Sequence, residues 1–292
     1  VDAQLSLKAT KHGWTYGPFS AKYVVIAVGS PAGRPRKNYK LPKLPKLNFI
    51  PWSPGLVPLV CFKPFKRLSG TRIRGTLKAH FKDAIQTSNG EILLTNYGLS
   101  GIASQDLATT IALPEKQNQS LPLKHLGLLG ELTHMIYGIS KEQDQLILSL
   151  NMFPEWDDEC WKWQVTERLK DGQKVPDLRG LLPMKMQSLI YDLWPKLQKL
   201  SLKKERLFYY LLHDFPFIYK ETRDYELAQV AAGGLDLRDF EPQSLEHKQY
   251  PGLYAAGEIL DVVGRCGGFN LQWAWSSAQT VGYSIAEALV ED

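Results

Sequence analysis

Several familiar signatures are missing from the 292 residues. There is no GxGxxG, no GxxxxGK[ST] and no GxSxG, which excludes a P-loop and a nucleophile elbow within this chain. Cysteine is scarce. Cys61, Cys160 and Cys266 cannot staple a chain of this length, and an odd count leaves one unpaired. A reducing, cytoplasmic setting is the expectation. No CxxC spacing occurs, and the six histidines (12, 80, 125, 134, 213 and 247) show no paired ligand spacing, so no metal site is expected. Long apolar runs are absent too. The longest, 23–28 and 56–62, fall well short of the roughly 18 residues of a membrane helix. No signal-peptide pattern opens the chain. It begins at Val1 on residues that read as mid-domain, and a piece of a longer protein is the expectation.

What remains is ordinary globular composition, 44% hydrophobic and 22% charged, which excludes intrinsic disorder and suggests roughly two domains. Charge is uneven although the net is only +5. Between Arg34 and Lys82 stand 13 basic and no acidic residues, leaving 22 basic against 30 acidic elsewhere. Such asymmetry marks either a solvated basic loop or a face for an anionic partner. Its densest part, GRPRKNYKLPKLPK (33–46), is kept extended by Pro35, Pro42 and Pro45. It is expected to be exposed. No zinc-finger or RRM signature appears, and nucleic acid is an unlikely partner on this ground.

Along the chain, 3–9 alternate apolar and polar as a half-buried strand, and 13–17 read as a turn. KYVVIAV (22–28) reads as a buried parallel strand. Further strands are expected at 56–62, 71–82, 92–95 after an Asn89-Gly90 turn, and 144–151. A helix is expected within 100–111, a loop at 117–123, and helices at 156–169, 184–193 and 202–212, with Pro183 and Pro195 as punctuation. The run Asp157-Asp158-Glu159 suits a helix start. The last segment, 271–290, is a helix whose Ala274, Ala278, Val281, Ile285 and Leu289 fall on one apolar stripe.

One stretch is richer in chemistry: GLYAAGEILDVVGRCGGFNLQWAW, 252–275. An apolar strand (253–256) is followed by Gly257-Glu258, then Asp261, then Gly264, Gly267 and Gly268, then a helix with Asn270 as expected N-cap. A carboxylate just past a strand end can accept hydrogen bonds from sugar-type hydroxyls. Glycines at a helix start let a flat ligand approach the backbone. The helix N-terminus offers N–H groups to an electron-rich oxygen. Together these suit a flavin, with Asp261 on the ribityl chain and the 267–271 backbone at the pyrimidine edge of the ring. Cys266 reads as a small structural residue. The hydride of flavin chemistry travels through the cofactor's own ring, so no catalytic acid or base is assigned.

Four stretches carry a resemblance: YVVIAVGSPAG (23–33), GEILLTNYGLSGIAS (90–104), AQVAAGGLDL (228–237) and GLYAAGEILDVVGRCGGFNLQWAWSSA (252–278). In this order and spacing the chain resembles the BaiN-like, or aminoacetone oxidase-like, NAD(P)/FAD-dependent oxidoreductases. The resemblance implies an α/β (α+β overall) fold: a partial FAD-binding domain of the two-dinucleotide-binding flavoprotein type, at 1–53 and 228–292. A large substrate or cap domain would be inserted at 54–227, with a β part (54–152) and a helical part (153–215). It implies that Ala27, Val28 and Gly29 pass near FAD at a strand end, that Gly257, Glu258 and Asp261 form a second FAD motif, and that Gly267, Gly268, Phe269, Asn270 and Leu271 start the helix beneath the flavin. NAD(P)H is a possible second cofactor. Val28 stands where the family usually has Thr, and the basic 33–46 replaces an expected glycine-rich segment.

FAD enzymes of this type hold the pyrophosphate on strand–GxGxxG–helix, which this chain lacks. It therefore resembles the C-terminal two-thirds of such a protein. The expectation is an FAD-dependent oxidoreductase of unknown small-molecule substrate, carrying the flavin side of the site without the ADP side. Two alternatives stand beside it. One is a non-catalytic relative binding an anionic partner through 34–82. The other is one subunit of a split flavoenzyme whose N-terminal segment acts in trans.

Overall fold

The structure is a computed structural model that describes residues 6–34, 39, 41, 46–113, 119–170 and 173–290. Most of the basic 33–46 segment, expected to be exposed, lies outside the described residues. The chain divides into two compact units, Val1–Val57 with Arg223–Asp292, and Pro58–Thr222.

The first unit begins with an antiparallel meander of β1 (Leu7–Thr10), β2 (Gly13–Tyr16) and β3 (Phe19–Ala21). The expected 13–17 turn is thus a strand. Gly13 has φ +131°, and a Cβ there would meet the Ala21 carbonyl oxygen at 2.3 Å, so its glycine serves a close strand approach. β4 (Val24–Ile26) pairs in parallel with β15 (Leu253–Ala255), Val24 opposite Leu253, across some 225 residues of sequence. β5 (Phe49–Gly55) pairs antiparallel with β14 (Val230–Leu235). The unit closes on α6 (Phe269–Val290). Leu7, Trp14, Ile26, Leu235, Leu253, Tyr254, Ile259 and Val281 form its core. β4 is shorter and more open than expected, because Val25 and Ala27 are exposed. On α6 the stripe is also displaced: Ala278 and Leu289 are exposed, whereas Ser277 and Val281 are the buried residues.

The second unit is built on a closed six-stranded antiparallel barrel, in the order β12-β13-β6-β9-β8-β7. Its strands are β6 (Leu59–Cys61), β7 (Arg72–His80), β8 (Ile85–Leu94), β9 (Gly98–Ser100), β12 (Ile147–Asn151) and β13 (Phe215–Thr222). A small pair, β10 (Leu121–Pro122) and β11 (Asp144–Gln145), adds to it. Helix α1 (Ile102–Ile111) stands where a helix was expected within 100–111, and a second, α2 (Gly127–Tyr137), lies in the 54–152 part without having been expected. Helices α3 (Asp158–Arg168), α4 (Met184–Leu197) and α5 (Lys204–His213) follow. Asp157 caps α3, its carboxylate accepting from the Cys160 N–H at 2.8 Å. Asn89-Gly90 makes no turn; it lies within β8 opposite Thr76 and Gly75. α4 continues through Pro195. Among the described residues, no helix is long and apolar enough to cross a membrane.

Candidate functional site

The chain after β15 turns away at Gly257, whose φ of +75° suits glycine. The Gly257 N–H is held by the Ser277 hydroxyl at 2.9 Å, and its carbonyl accepts from the Trp273 indole at 3.2 Å. Both partners stand on α6, so the strand end and the helix are locked together.

Glu258 and Asp261 follow at a spacing of three, and the structure gives each a backbone partner. Glu258 Oε1 accepts from the Ala231 N–H and Asp261 Oδ1 from the Gly233 N–H, both at 2.9 Å. β14 pairs with β5 along one edge; the two carboxylates occupy donors on the other. The Asp261 N–H in turn donates to the Leu235 carbonyl at 3.0 Å. Burial pushes the Glu258 carboxyl up, against the Ala231 N–H, the Ser30 hydroxyl and the charge of Arg34.

The glycine turn is closed by one side chain. Asn270 Oδ1 accepts from the Gly264 N–H at 2.8 Å, and its amide donates back to the Gly264 carbonyl at 2.9 Å. Asn270 is therefore a loop clamp inside α6, not the expected N-cap. The first main-chain bond of the helix runs from the Gln272 N–H to the Gly268 carbonyl, so the first-turn N–H groups have no intrahelical acceptor. Gly267 and Gly268 take φ +124° and +93°, and a Cβ on Gly268 would meet nothing within 4 Å. Gly29 at the end of β4 is open in the same sense, and its carbonyl accepts from the Tyr39 hydroxyl at 2.7 Å.

A cavity of about 350 Å³ gathers Glu258, Gly267, Gly268, Asn270 and Leu271 with Gln229, Arg265 and Trp273, a volume within the usual range for small-ligand sites. Ala27, Val28, Gly29, Gly257, Asp261 and Phe269 do not line it. A larger open cleft of about 1080 Å³ beside β1 and β2, lined by Lys11, Trp14 and Tyr250 among others, holds none of the expected site residues. The smaller cavity is the better candidate, because the helix N-terminus and the glycine turn face it. Sequence reasoning missed Gln229, Arg265 and Trp273. Trp273 was legible in principle, being one turn into a helix whose start was already singled out.

A parallel strand pair, a glycine turn leading into a long helix, and carboxylates just beyond the strand end define a dinucleotide-binding α/β protein of Rossmann type. The chain belongs to the HI0933-like family: residues 15–284 match the description HI0933-like protein Rossmann domain. This is a family of flavin-type oxidoreductases that includes the BaiN-like and aminoacetone oxidase-like proteins. Among curated relatives, the chain is 28% identical over 281 residues to a 3-dehydro-bile acid delta(4,6)-reductase of Clostridium scindens, covering 92% of this chain and 63% of that one. It is 26% identical over 285 residues to a ribosomal RNA dihydrouridine synthase of Escherichia coli, covering 95% and 63%. A protein of the same name from Haemophilus influenzae is 43% identical over 75 residues, 26% of this chain. The chain thus spans somewhat under two thirds of the first two relatives' length.

Proposed function

We propose that this chain carries the isoalloxazine and ribityl side of an FAD site in a cytoplasmic oxidoreductase acting on a small molecule, with NAD(P)H as the source of reducing equivalents. The observation that supports this best is the open backbone at Gly267-Gly268, directly before the N-terminus of a 22-residue helix and facing a cavity of ligand size. Bound there, a flavin supplies hydride transfer. The first turn of α6 would meet the electron-rich pyrimidine edge, Asp261 the ribityl hydroxyls, and the ends of β4 and β15 the space between. Both long-matching relatives carry names that denote reduction of a carbon–carbon double bond, and that is the reaction class proposed. The sparse, odd set of three cysteines suits a reducing compartment. The unit Pro58–Thr222 is proposed as the substrate or cap domain.

The test is titration of the chain alone with riboflavin, FMN and FAD, followed by flavin absorbance and fluorescence. A site holding only ring and ribityl binds all three within a few-fold of one another, and the chain purifies without FAD. Failure to bind any flavin, or FAD retained stoichiometrically while riboflavin does not bind, would overturn the reading. Asp261→Asn keeps an acceptor for the Gly233 N–H but removes the charge. It should weaken riboflavin roughly 5- to 10-fold, the difference between a charged and a neutral hydrogen-bond acceptor.

A further inference from the structure

The cavity beside the glycine turn is lined by residues that follow β15, whereas the larger cleft of about 1080 Å³ lies at the start of that strand. The cleft gathers the β1–β2 hairpin, the residues entering β4, and the loop 249–252 that leads into β15. All of these belong to the first unit, and none lines the smaller cavity. Its walls are held from within. The Thr10 hydroxyl accepts from the His12 N–H at 3.3 Å and donates to the Gly13 carbonyl at 3.0 Å, which fixes Lys11 and His12 at the hairpin tip. The Trp14 indole donates to the Pro251 carbonyl at 3.1 Å and meets the Tyr250 ring edge-on, 6.1 Å between centres.

The chemistry of the lining is one-sided. Lys11, His12 and Lys22 are exposed on it, and Lys22 lies over the Tyr23 ring, 5.4 Å from its centre. Glu246 is the one acidic residue of the lining, and it is already engaged. Its Oε1 accepts from the Gly252 N–H at 2.7 Å, and the Tyr254 hydroxyl donates to the same carboxylate. Among the described residues no carboxylate pairs with Lys11. Trp14 and Tyr254 are buried, whereas Tyr23 and Tyr250 are half-buried and line the cleft with their rings. Gln249 is exposed beside them. Its main-chain N–H is fixed on His247 Nδ1 at 3.1 Å, and among the described residues its side-chain amide has no partner.

We infer that this cleft binds a nucleoside monophosphate, separately from the cavity at the glycine turn. A cationic rim without a free carboxylate selects an anion. The lining offers lysine, a compact point charge, and no arginine fork, which suits a phosphate better than a planar carboxylate. The Tyr23 and Tyr250 rings give a base something to stack on. The Gln249 amide donates and accepts at once, the pattern that matches the edge of adenine. Phosphate, ring and base edge are thus each met by a different part of the lining. The flavin reading is not needed for this site, because the two share no residue.

The experiment is calorimetric titration of the chain with AMP, adenosine, ribose 5-phosphate and inorganic phosphate. AMP should bind at one site per chain, with each of the other three weaker by about 10-fold or more. Lys11→Glu should weaken AMP by about 10-fold or more while thermal unfolding stays unchanged. Lys8→Glu, at an exposed lysine of β1 outside the cleft, should cost less than about 3-fold, which separates a local contact from the field of the whole chain. Gln249→Leu should narrow the gap between AMP and ribose 5-phosphate by about 3-fold or more. Saturating riboflavin should leave AMP binding unchanged. Absence of saturable AMP binding at millimolar concentration would overturn the proposal. So would inorganic phosphate or ribose 5-phosphate binding as tightly as AMP, or equal losses in Lys8→Glu and Lys11→Glu. Displacement of AMP by riboflavin would overturn it too, by assigning AMP to the smaller cavity.

Discussion

His80 shows how far a single side chain can be read from physics alone. Its Nε2 lies 2.8 Å from the Ser149 hydroxyl, which donates to Asp214 at 3.1 Å, and Lys78 pairs with the same carboxylate at 2.8 Å. The serine has one proton and gives it to Asp214, so His80 must be the donor to Ser149, as a neutral Nε2–H tautomer. Burial pushes its pKa down to about 4, partly offset by Asp214 and reinforced by Lys78. The unfolded chain takes up a proton near the ordinary value of about 6.5, so the unfolded state binds protons first as pH falls. Stability is then full above about pH 6.5 and declines towards pH 4, by at most about 3 kcal/mol. Denaturant titrations between pH 7.5 and 4.5 should show this slope. His80→Gln keeps a donor to Ser149 and should flatten the slope, leaving the contributions of His213 and His247, which burial also lowers. Cys61 gives a simpler test. Buried, and pushed up to about 12 by that burial, it should resist iodoacetamide at pH 8 in the native protein, while half-buried Cys160 and Cys266 react; peptide mass mapping reads the outcome. None of this was legible in sequence. His80, Ser149 and Asp214 are joined only by the β7–β12–β13 pairing.

At the scale of elements, local pattern succeeds where local chemistry decides and fails where tertiary contact decides. Gly130 in α2 is the sharpest case. Helix propensity says that alanine in its place would stabilise by about 1 kcal/mol. A Cβ there would instead lie 1.8 Å from the Leu123 carbonyl oxygen. Backbone would have to shift, so Gly130→Ala should destabilise by on the order of 1–3 kcal/mol, measured by urea midpoint at constant m-value. The helix stretches 158–168, 184–197 and 204–213 were legible because apolar spacing and the Asp157 cap are local signals. Asn89-Gly90 misled for the opposite reason. The turn joining β7 to β8 lies at 81–84, where the Phe81 N–H reaches the Ala84 carbonyl. Gly90 sits opposite Gly75, and a Cβ on Gly75 would lie 2.3 Å from the Asn151 carbonyl oxygen. Gly75 serves close strand approach in a barrel wall, and Gly90 takes a φ of +148° that side chains rarely adopt; neither reverses the chain. Pro195 misled as well: it stands near the end of α4, where the buried Trp194 and Leu197 hold the last turn in place despite the missing N–H.

At the scale of the whole molecule, the candidate site was legible as a motif but not as an arrangement. The order strand–Gly–Glu–Asp–Gly–Gly–helix could be read along the chain, because a parallel strand and a glycine turn each have a local signature. The partners of its carboxylates could not, since Ala231 and Gly233 meet Glu258 and Asp261 only through the fold. The second unit supports one further prediction. All six barrel strands fall between Leu59 and Thr222, and Leu59 stands directly opposite Thr222 in the β6–β13 pair. The unit thus begins and ends at neighbouring places on one wall, its ladder closes without a free edge, and Leu77, Ile92, Leu99, Ile147, Trp194 and Phe215 are buried inside it. A closed ladder removes the edge that makes excised β-sheets aggregate, and the unit has the size of an ordinary independent domain. Residues 58–222 expressed alone should therefore be monomeric and unfold in one cooperative transition, with the near-ultraviolet circular dichroism of packed Trp161 and Trp194. A molten or aggregating fragment would mean that the barrel depends on residues outside 58–222, and that the division into two units is geometric without being energetic.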